Sequence, residues 1–357
     1  MDLTENEIAL ELCRRLNIPT NGKTSGNVVV KCFSPYHPDK KPSCSVSLDK
    51  SMFHCFSCGY SGSLKTIYKQ KYGVSIYKDL GVNRSFSLLQ QQEEVIDFSI
   101  LPDVDFKFTG QLYPLNSTDL SKKWVEKRGF NLEVLDNLNI KYCKFGRTIK
   151  ESDPADKEEW RSYSDMAFIP IYENKKLLCF EARQLRSEDE WFKHLESKNI
   201  DVSKKEYKKI LYPKNSSTKT LYRFDYLNRD EPLYLVEGLM DVLSLRTNKL
   251  FENSTTTFGR GIKERQFYLL SKFKKIIYIP NLDMPGILAI EQFKKKDMKN
   301  VYILCLPKNS GIKDVNDILQ GKHKRFKTLE NLVNAGWLNK IQHIDDFDIE
   351  SNIKSIS

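Results

Sequence analysis

The chain lacks any apolar run approaching the roughly 18 residues that a membrane-spanning helix requires, which argues against a helical anchor within it. Its opening, MDLTENEIALELC, lacks the basic-then-apolar order of a secretory signal, so a cytosolic protein is expected. In a reducing compartment eight cysteines do not read as a disulfide framework. Four of them, Cys13, Cys143, Cys179 and Cys305, stand singly in apolar or mixed surroundings and read as small core residues. Acidic excess is missing too: 57 Lys and Arg face 47 Asp and Glu, for a net charge of +10. That balance favours a polyanionic partner without identifying one. A length of 357 residues exceeds what one core usually organises, so two or three domains are expected.

What the chain does have begins at residues 31 to 62, KCFSPYHPDKKPSCSVSLDKSMFHCFSCGYSG, where the other four cysteines cluster. Cys55 and Cys58 form a CxxC knuckle, and Cys32 with His37 a CxxxxH pair. The 17 residues between the two pairs suffice for a hairpin that brings both onto one tetrahedral Zn²⁺. Cys44 and His54 are rival ligands, although Cys44 sits in an alternating strand pattern and His54, next to Cys55, points to the opposite face. Residues 25 to 65 hold few aliphatics, so a metal would supply much of the stability of this module. Phe33, Tyr36, Phe53, Phe56 and Tyr60 lie among Lys31, Lys40, Lys41 and Lys65, a mixture that stacks bases and neutralises phosphates on a single strand. Some of these rings must instead form the ribbon's own small core.

A helix is expected near 63 to 72, then a partly ordered linker carrying QQQEE, with a domain boundary near 80 to 115. From 117, STDLSKKWVEKRGFNLEVLDNLNI reads as two short helices, the first ended by Gly129. MAFIPIYE and KKLLCFEARQL read as a hairpin turning at ENKK. Lys204, Lys205, Lys208, Lys209, Lys214, Lys219 and Arg223 then fall within a short stretch interleaved with tyrosines. Such a run is either a solvated face or a contact for phosphates.

Residues 231 to 320 change style. EPLYLVEG is an apolar strand ending at Glu237, and LMDVLSLRTN continues as a helix with Asp241 in its first turn. KKIIYIPNLDMPG repeats the device, with Asn281, then Asp283, then a helix. NVYILCLP runs into KNSGIKDVNDIL, which carries Asp314 and Asp317. Alternating strands and helices imply a parallel sheet, whose ligands bind beyond the carboxyl ends of the strands. Each strand here delivers a carboxylate to that edge. One such Asp is ordinarily a turn or cap residue, but three together imply a hard cation such as Mg²⁺ or Mn²⁺.

LVEGLMDVLSL, IPNLDMPG and IKDVNDIL resemble the three motifs of the Toprim domain. KCFSPYHPDKKPSCSV followed by FHCFSCGYSG resembles the zinc ribbon of bacterial and phage DnaG-type DNA primases. KKWVEKRGFNLEVLDNLNI is similar to the helical start of the primase polymerase core, FEARQL to its basic strand, and TTTFGRGIKERQFYLL to the link between the first two Toprim motifs. The resemblance implies an α/β multidomain fold: a zinc ribbon over 1–75, a linker over 76–115, a basic subdomain of the primase core over 116–229 and a Rossmann-like Toprim subdomain over 230–322. A short tail over 323–357 would hold a docking helix, and the large helicase-binding region of some relatives would be absent.

It also implies roles. Cys32, His37, Cys55 and Cys58 would hold one structural zinc. Glu237, Asp283 and Asp314 would work with one or two Mg²⁺ or Mn²⁺ ions, supported by Asp241, Asn281 and Asp317. Arg183, Lys209, Lys214 and Arg223 would contact nucleotide or template. The implied activity is synthesis of RNA primers from ribonucleoside triphosphates on single-stranded DNA beside a replicative helicase, in the cytoplasm of a bacterial or phage-infected cell. Three features depart from the pattern: the first zinc pair is two residues longer than Cys-x-x-His, and Asn281 and Asn316 stand where aspartates are usual. A template-binding adaptor, in which Asn281 and Asn316 reflect lost metal binding, is therefore one alternative; a Toprim nuclease is another, against which the zinc ribbon argues. A type IA topoisomerase is disfavoured, since none of the 17 tyrosines is marked out as a nucleophile.

Overall fold

The structure is a computed structural model that describes residues 4–34, 39, 41–57, 60–80, 97–203, 205–259, 261–281, 283–307, 312–323 and 325–349. It divides into two compact units, one ending at Asp97 and the other beginning at Phe98. No helix among the described residues is long and apolar enough to cross a membrane.

The first unit opens with α1 (Glu5–Arg15). Thr4 and Glu7 cap it reciprocally: the Thr4 hydroxyl accepts from the Glu7 N–H at 3.3 Å, and the Glu7 carboxylate accepts from the Thr4 N–H at 2.7 Å. Four short antiparallel strands follow in spatial order, β1 (Asn27–Val30), β2 (Cys44–Ser47), β3 (Met52–Cys55) and β4 (Ser61–Ser63). Their alternation is regular, with Val28, Val30, Cys44, Val46, Phe53 and Cys55 inward. Phe33 and Tyr60 pack on Phe53 with ring centroids 4.9 and 5.4 Å away, so these rings extend the ribbon's core. Phe56 is 68% exposed. After α2 (Leu64–Tyr72), ended by left-handed Gly73, comes α3 (Ile76–Asp79), whose Ile76 is buried. The expected linker therefore starts as structure; its stretch from 81 to 96 lies outside the described residues.

The second unit contains two sheets. The first is antiparallel in chain order: β5 (Lys107–Tyr113), β6 (Lys141–Ile149), β7 (Arg161–Glu173), β8 (Lys176–Gln184) and β9 (Ile210–Leu211). Between β5 and β6 lie α4 (Asp119–Arg128), capped by Thr118, and α5 (Leu132–Asn137), capped by Asn131. The β7–β8 hairpin turns through Asn174 and Lys175, whose φ values of 50° and 62° are those of a type I′ turn, the form that matches strand twist. β5 belongs to this sheet, although its residues fell within the expected linker. After β8, α6 (Glu188–Ser197) precedes β9.

The second sheet carries the strand-helix alternation: β10 (Leu233–Val236), α7 (Leu239–Leu245), β11 (Ser254–Thr256), α8 (Glu264–Leu270), β12 (Ile276–Tyr278), α9 (Met284–Lys295), β13 (Val301–Ile303), α10 (Val315–Leu319), α11 (Leu329–Asn334) and β14 (Gln342–His343). Strand order is β11-β10-β12-β13-β14, parallel except for β14. The β10 and β12 residues are buried throughout, as a sheet covered on both faces requires. A buried ion pair joins the two sheets: Arg265 of α8 donates to both Glu173 oxygens at the end of β7, at 2.6 and 2.8 Å. Removing one partner of such a pair leaves a buried charge and costs about 3–5 kcal/mol. The tail, expected to offer a docking helix, folds onto its own unit instead. Leu329 and Leu332 of α11 and Trp337 are buried in the core, and the Trp337 indole donates to the Cys305 carbonyl at 2.9 Å.

Candidate metal centre and its cationic rim

At the carboxyl edge of the parallel sheet, Glu237 follows the last residue of β10 and Gly238 caps α7, with Asp241 in the first turn. Both carboxylates are buried, at 8% and 4% exposure. One Glu237 oxygen accepts from the Asn281 backbone N–H at 3.1 Å and lies 3.3 Å from the donating Tyr278 hydroxyl, so β12 and its loop position it. Gly286 makes this approach possible. A β-carbon there would fall 2.7 Å from the Glu237 carboxylate and also against the Asn281 carbonyl.

Asp283 and Asp314 cap α9 and α10. Each uses one oxygen for a helix N–H, Asp283 from Gly286 at 3.1 Å and Asp314 from Asp317 at 2.9 Å. A second oxygen remains on each. Asp317 accepts from the Lys313 N–H at 2.9 Å and pairs with Lys322. Burial and the charge of Asp314 raise the Asp241 carboxyl above its ordinary range, and Glu237 adds to the effect. Asp314 is raised by burial and by Asp317. Glu237, Asp241 and Asp314 thus form one field of mutually repelling carboxylates, the donor set that a hard cation relieves. Among the described residues no three His, Cys, Asp or Glu side chains converge on one ion. The residues fit a hard divalent cation of the kind held by one or two carboxylates, with other oxygen ligands completing the shell.

A cationic rim faces these acids. Arg183 on β8 is 6% exposed and grips Glu181 through Nε at 2.7 Å and Nη2 at 2.6 Å; Tyr212 donates to the other Glu181 oxygen at 2.7 Å. Lys209 is held below the usual lysine range by burial and by Arg183 and Arg128, while Asp314 opposes that shift. Arg128, the last residue of α4, is lowered by burial and by Arg183, with Asp314 and Asp241 opposing. It donates to the Asn316 side-chain oxygen at 3.0 Å. The sequence singled out Arg183 and Lys209; Arg128 and Lys322, which the structure also sets beside the acids, were not among its candidates. The available signal for Arg128 was its place before the helix-ending Gly129. That glycine has φ 70°, and a β-carbon there would lie 2.6 Å from the Leu319 carbonyl, so α4 docks its C-terminus on the end of α10.

The remaining expected contacts lie elsewhere. Lys214 reaches the Glu158 carbonyl and the Glu159 carboxylate, the latter at 3.6 Å. Arg223 sits near the amino-terminal edge of β10, beside Tyr226. Asn281 contributes its backbone N–H to Glu237. Asn316 is filled on all sides, its amide nitrogen donating to Ser244 at 2.8 Å and its oxygen accepting from Arg128 and Gln320.

In the ribbon unit, His37 and Cys58 lie outside the described residues, as do Tyr36 and Lys40. Asp39 ties Cys32 to the start of β2: one carboxylate oxygen accepts from the Cys32 N–H, the Ser43 N–H and the Ser43 hydroxyl at 2.9–3.0 Å. The Ser43 hydroxyl is 3.2 Å from the Cys55 sulfur. Cys32 and Cys55 are therefore linked through one short chain of hydrogen bonds. Cys44 pairs with Cys55 across β2 and β3, so both side chains share one buried face. His54 is exposed and meets Phe56 edge-on at 5.2 Å.

A small antiparallel ribbon, and a core whose parallel sheet presents acids at its carboxyl edge, are the two parts of a zinc-ribbon and Toprim-like arrangement. Comparison with known proteins agrees: residues 19–82 match the CHC2 zinc finger family model, and residues 234–319 match the Toprim-like family model. The DNA primase of Lactococcus lactis is 23% identical over 94% of the chain and 55% of its own length, and that of Aquifex aeolicus 25% identical over 72% and 53%. The chain thus spans about half the length of these curated relatives. The crystal structure of the Aquifex aeolicus primase zinc-binding and RNA polymerase domains aligns at a TM-score of 0.46 and 17% identity, covering 95% of this chain and 86% of that one. The chain thus carries a match to a zinc-binding module followed by a match to a Toprim-like module of the kind that binds divalent metal.

Proposed function

We propose that the chain is a DNA primase, making short RNA primers on a single-stranded DNA template from ribonucleoside triphosphates. The observation that carries this is the juxtaposition of the buried carboxylates Glu237 and Asp241 and the half-buried Asp314 with the cations Arg128, Arg183 and Lys209 at one sheet edge. Acids that repel one another hold a cation, and the facing cations hold phosphates. Curated relatives named DNA primase support the same reading.

Glu237, Asp283 and Asp314 would hold one or two Mg²⁺ or Mn²⁺ ions, with Asp241, Asn281 and Asp317 behind them. Bound there, the metal would lower the pKa of an attacking ribose hydroxyl and offset charge on the reacting phosphate. Lys209 and Arg128 would grip the triphosphate, and Arg183, fixed by Glu181, would hold its guanidinium in one orientation. Positioning and electrostatics account for most of phosphoryl-transfer catalysis, so no covalent nucleophile is required. Cys32, His37, Cys55 and Cys58 would hold one zinc, fixing a ribbon whose exposed Phe56 and His54 stack template bases. The functional divisions would be the ribbon over 1–75, the basic subdomain over 116–229 and the Toprim subdomain over 230–322. A replicative helicase would deliver the template.

The test is incubation with single-stranded DNA, labelled ribonucleotides and Mg²⁺. Short RNA products establish a primase. Shortened DNA means a Toprim nuclease, and binding without products means an adaptor.

A further inference from the structure

Between β9 and β10 the backbone passes through Arg223 at φ 56° and ψ 32°, the left-handed region that a β-carbon penalises. Its guanidinium lies 4.4 Å from the centre of the Tyr226 ring, which is 72% exposed, so one ring face is backed by charge and the ring remains open to solvent. Arg246, at the end of α7, donates Nη2 to the Ser254 carbonyl at 2.9 Å. The Nε atoms of Arg223 and Arg246 are both shielded from solvent, and neither meets an acceptor among the described residues. The hydroxyl of Tyr222, a residue only 1% exposed, is a third buried group in the same condition.

These groups line two adjoining hollows of about 380 and 480 Å³ that share Arg223, Tyr226, Asn137 and Leu138. Buried donors without acceptors are costly, and the two guanidiniums oppose each other. Burial, reinforced by the charge of Arg223, holds Arg246 down at about 10. What is missing is a group with several anionic oxygens, and a phosphate supplies these in the geometry that arginine forks accept. Beside it, the open Tyr226 ring offers a stacking surface of the kind bases use. Glu231 and Glu252 also line the first hollow and suit hydroxyl or amino donors on the same molecule.

We propose that these hollows bind a nucleotide, its phosphate at Arg223 and Arg246 and its base on Tyr226. The site is separate from the acidic edge. It lies at the amino-terminal end of β10, whose other end carries Glu237, and the four residues of that strand span about 10 Å. α7 spans the same gap, with Asp241 in its first turn and Arg246 at its end.

Equilibrium dialysis of the full chain against labelled AMP in EDTA tests this, because metal-dependent binding at the acidic edge is then silent. Saturable binding of one AMP per chain, competed by inorganic phosphate, is expected. Tyr226→Ala, at an exposed position that leaves folding intact, and Arg223→Gln should each weaken it roughly tenfold, while Glu237→Gln leaves it unchanged. No saturable binding, equal binding by Tyr226→Ala, or loss in Glu237→Gln overturns the proposal. So does phosphate binding as tightly as AMP, or a 5′-phosphorylated oligonucleotide binding where AMP does not. Primer synthesis is scored separately on the same proteins, so neither result stands in for the other.

Discussion

Asn316 holds Arg128 from two sides. Its side-chain oxygen accepts from the guanidinium at 3.0 Å, and its amide nitrogen lies 3.4 Å from the Arg128 backbone carbonyl, across 188 residues of chain. The same amide nitrogen donates to Ser244 at 2.8 Å, and the Asn316 backbone N–H donates to Asp241 at 3.1 Å. An aspartate here would lack the amide donor and would add charge beside Asp241. The departure from the usual acid at this position is thus accounted for by packing.

Asn316→Asp should therefore reduce primer synthesis rather than improve it. The loss of a buried donor costs about 1–3 kcal/mol, visible as a lower Tm, and Arg128 loses its orientation. Asn316→Ala should behave similarly. An Asn316→Asp enzyme with higher activity at low Mg²⁺ would show that position 316 serves the metal.

Asn281 differs, since it positions Glu237 through its backbone N–H. Asn281→Asp adds a carboxylate to the edge without removing that contact. The Mg²⁺ concentration giving half-maximal primer synthesis should fall, and a metal titration of the two proteins measures it. If the natural chain makes no primers with any metal and Asn281→Asp makes them readily, the adaptor reading is correct.

Asp241→Asn should raise the Tm of metal-stripped protein, because it removes a carboxyl whose ionisation burial and the neighbouring acids oppose. Mg²⁺ should then stabilise the variant less than the parent. Thermal melts with EDTA and with Mg²⁺ give both numbers, and a lower Tm in EDTA would mean that Asp241 serves the fold through Asn316 instead.

For the ribbon, Cys55→Ala should release zinc and Cys44→Ala should retain it, as read by metal analysis. Cross-strand pairing places Cys44 beside Cys55, so the comparison is a close one. Zinc lost from Cys44→Ala and kept by Cys55→Ala would exchange their roles. Zinc removal by a chelator should loosen the ribbon around Phe53 and its two ring neighbours, read as a lower Tm for this unit.

Local chemistry made much of the molecule legible in its sequence. The Asn174–Lys175 turn, the Gly129 stop and the strand-then-acid repeats at Glu237, Asp283 and Asp314 follow from turn propensity and from period-2 and period-3.6 patterning, which act over a few residues. Tertiary structure alone decided which cations meet those acids. Arg128 reaches the edge because Gly129 packs on Leu319, while Arg223, from the same basic run as Lys209, is carried to the opposite end of β10. It also returned the tail to its own core, burying Leu329 and Leu332 where the sequence had suggested a docking helix. Docking of elements far apart in the chain sets such placements, and no local pattern encodes it.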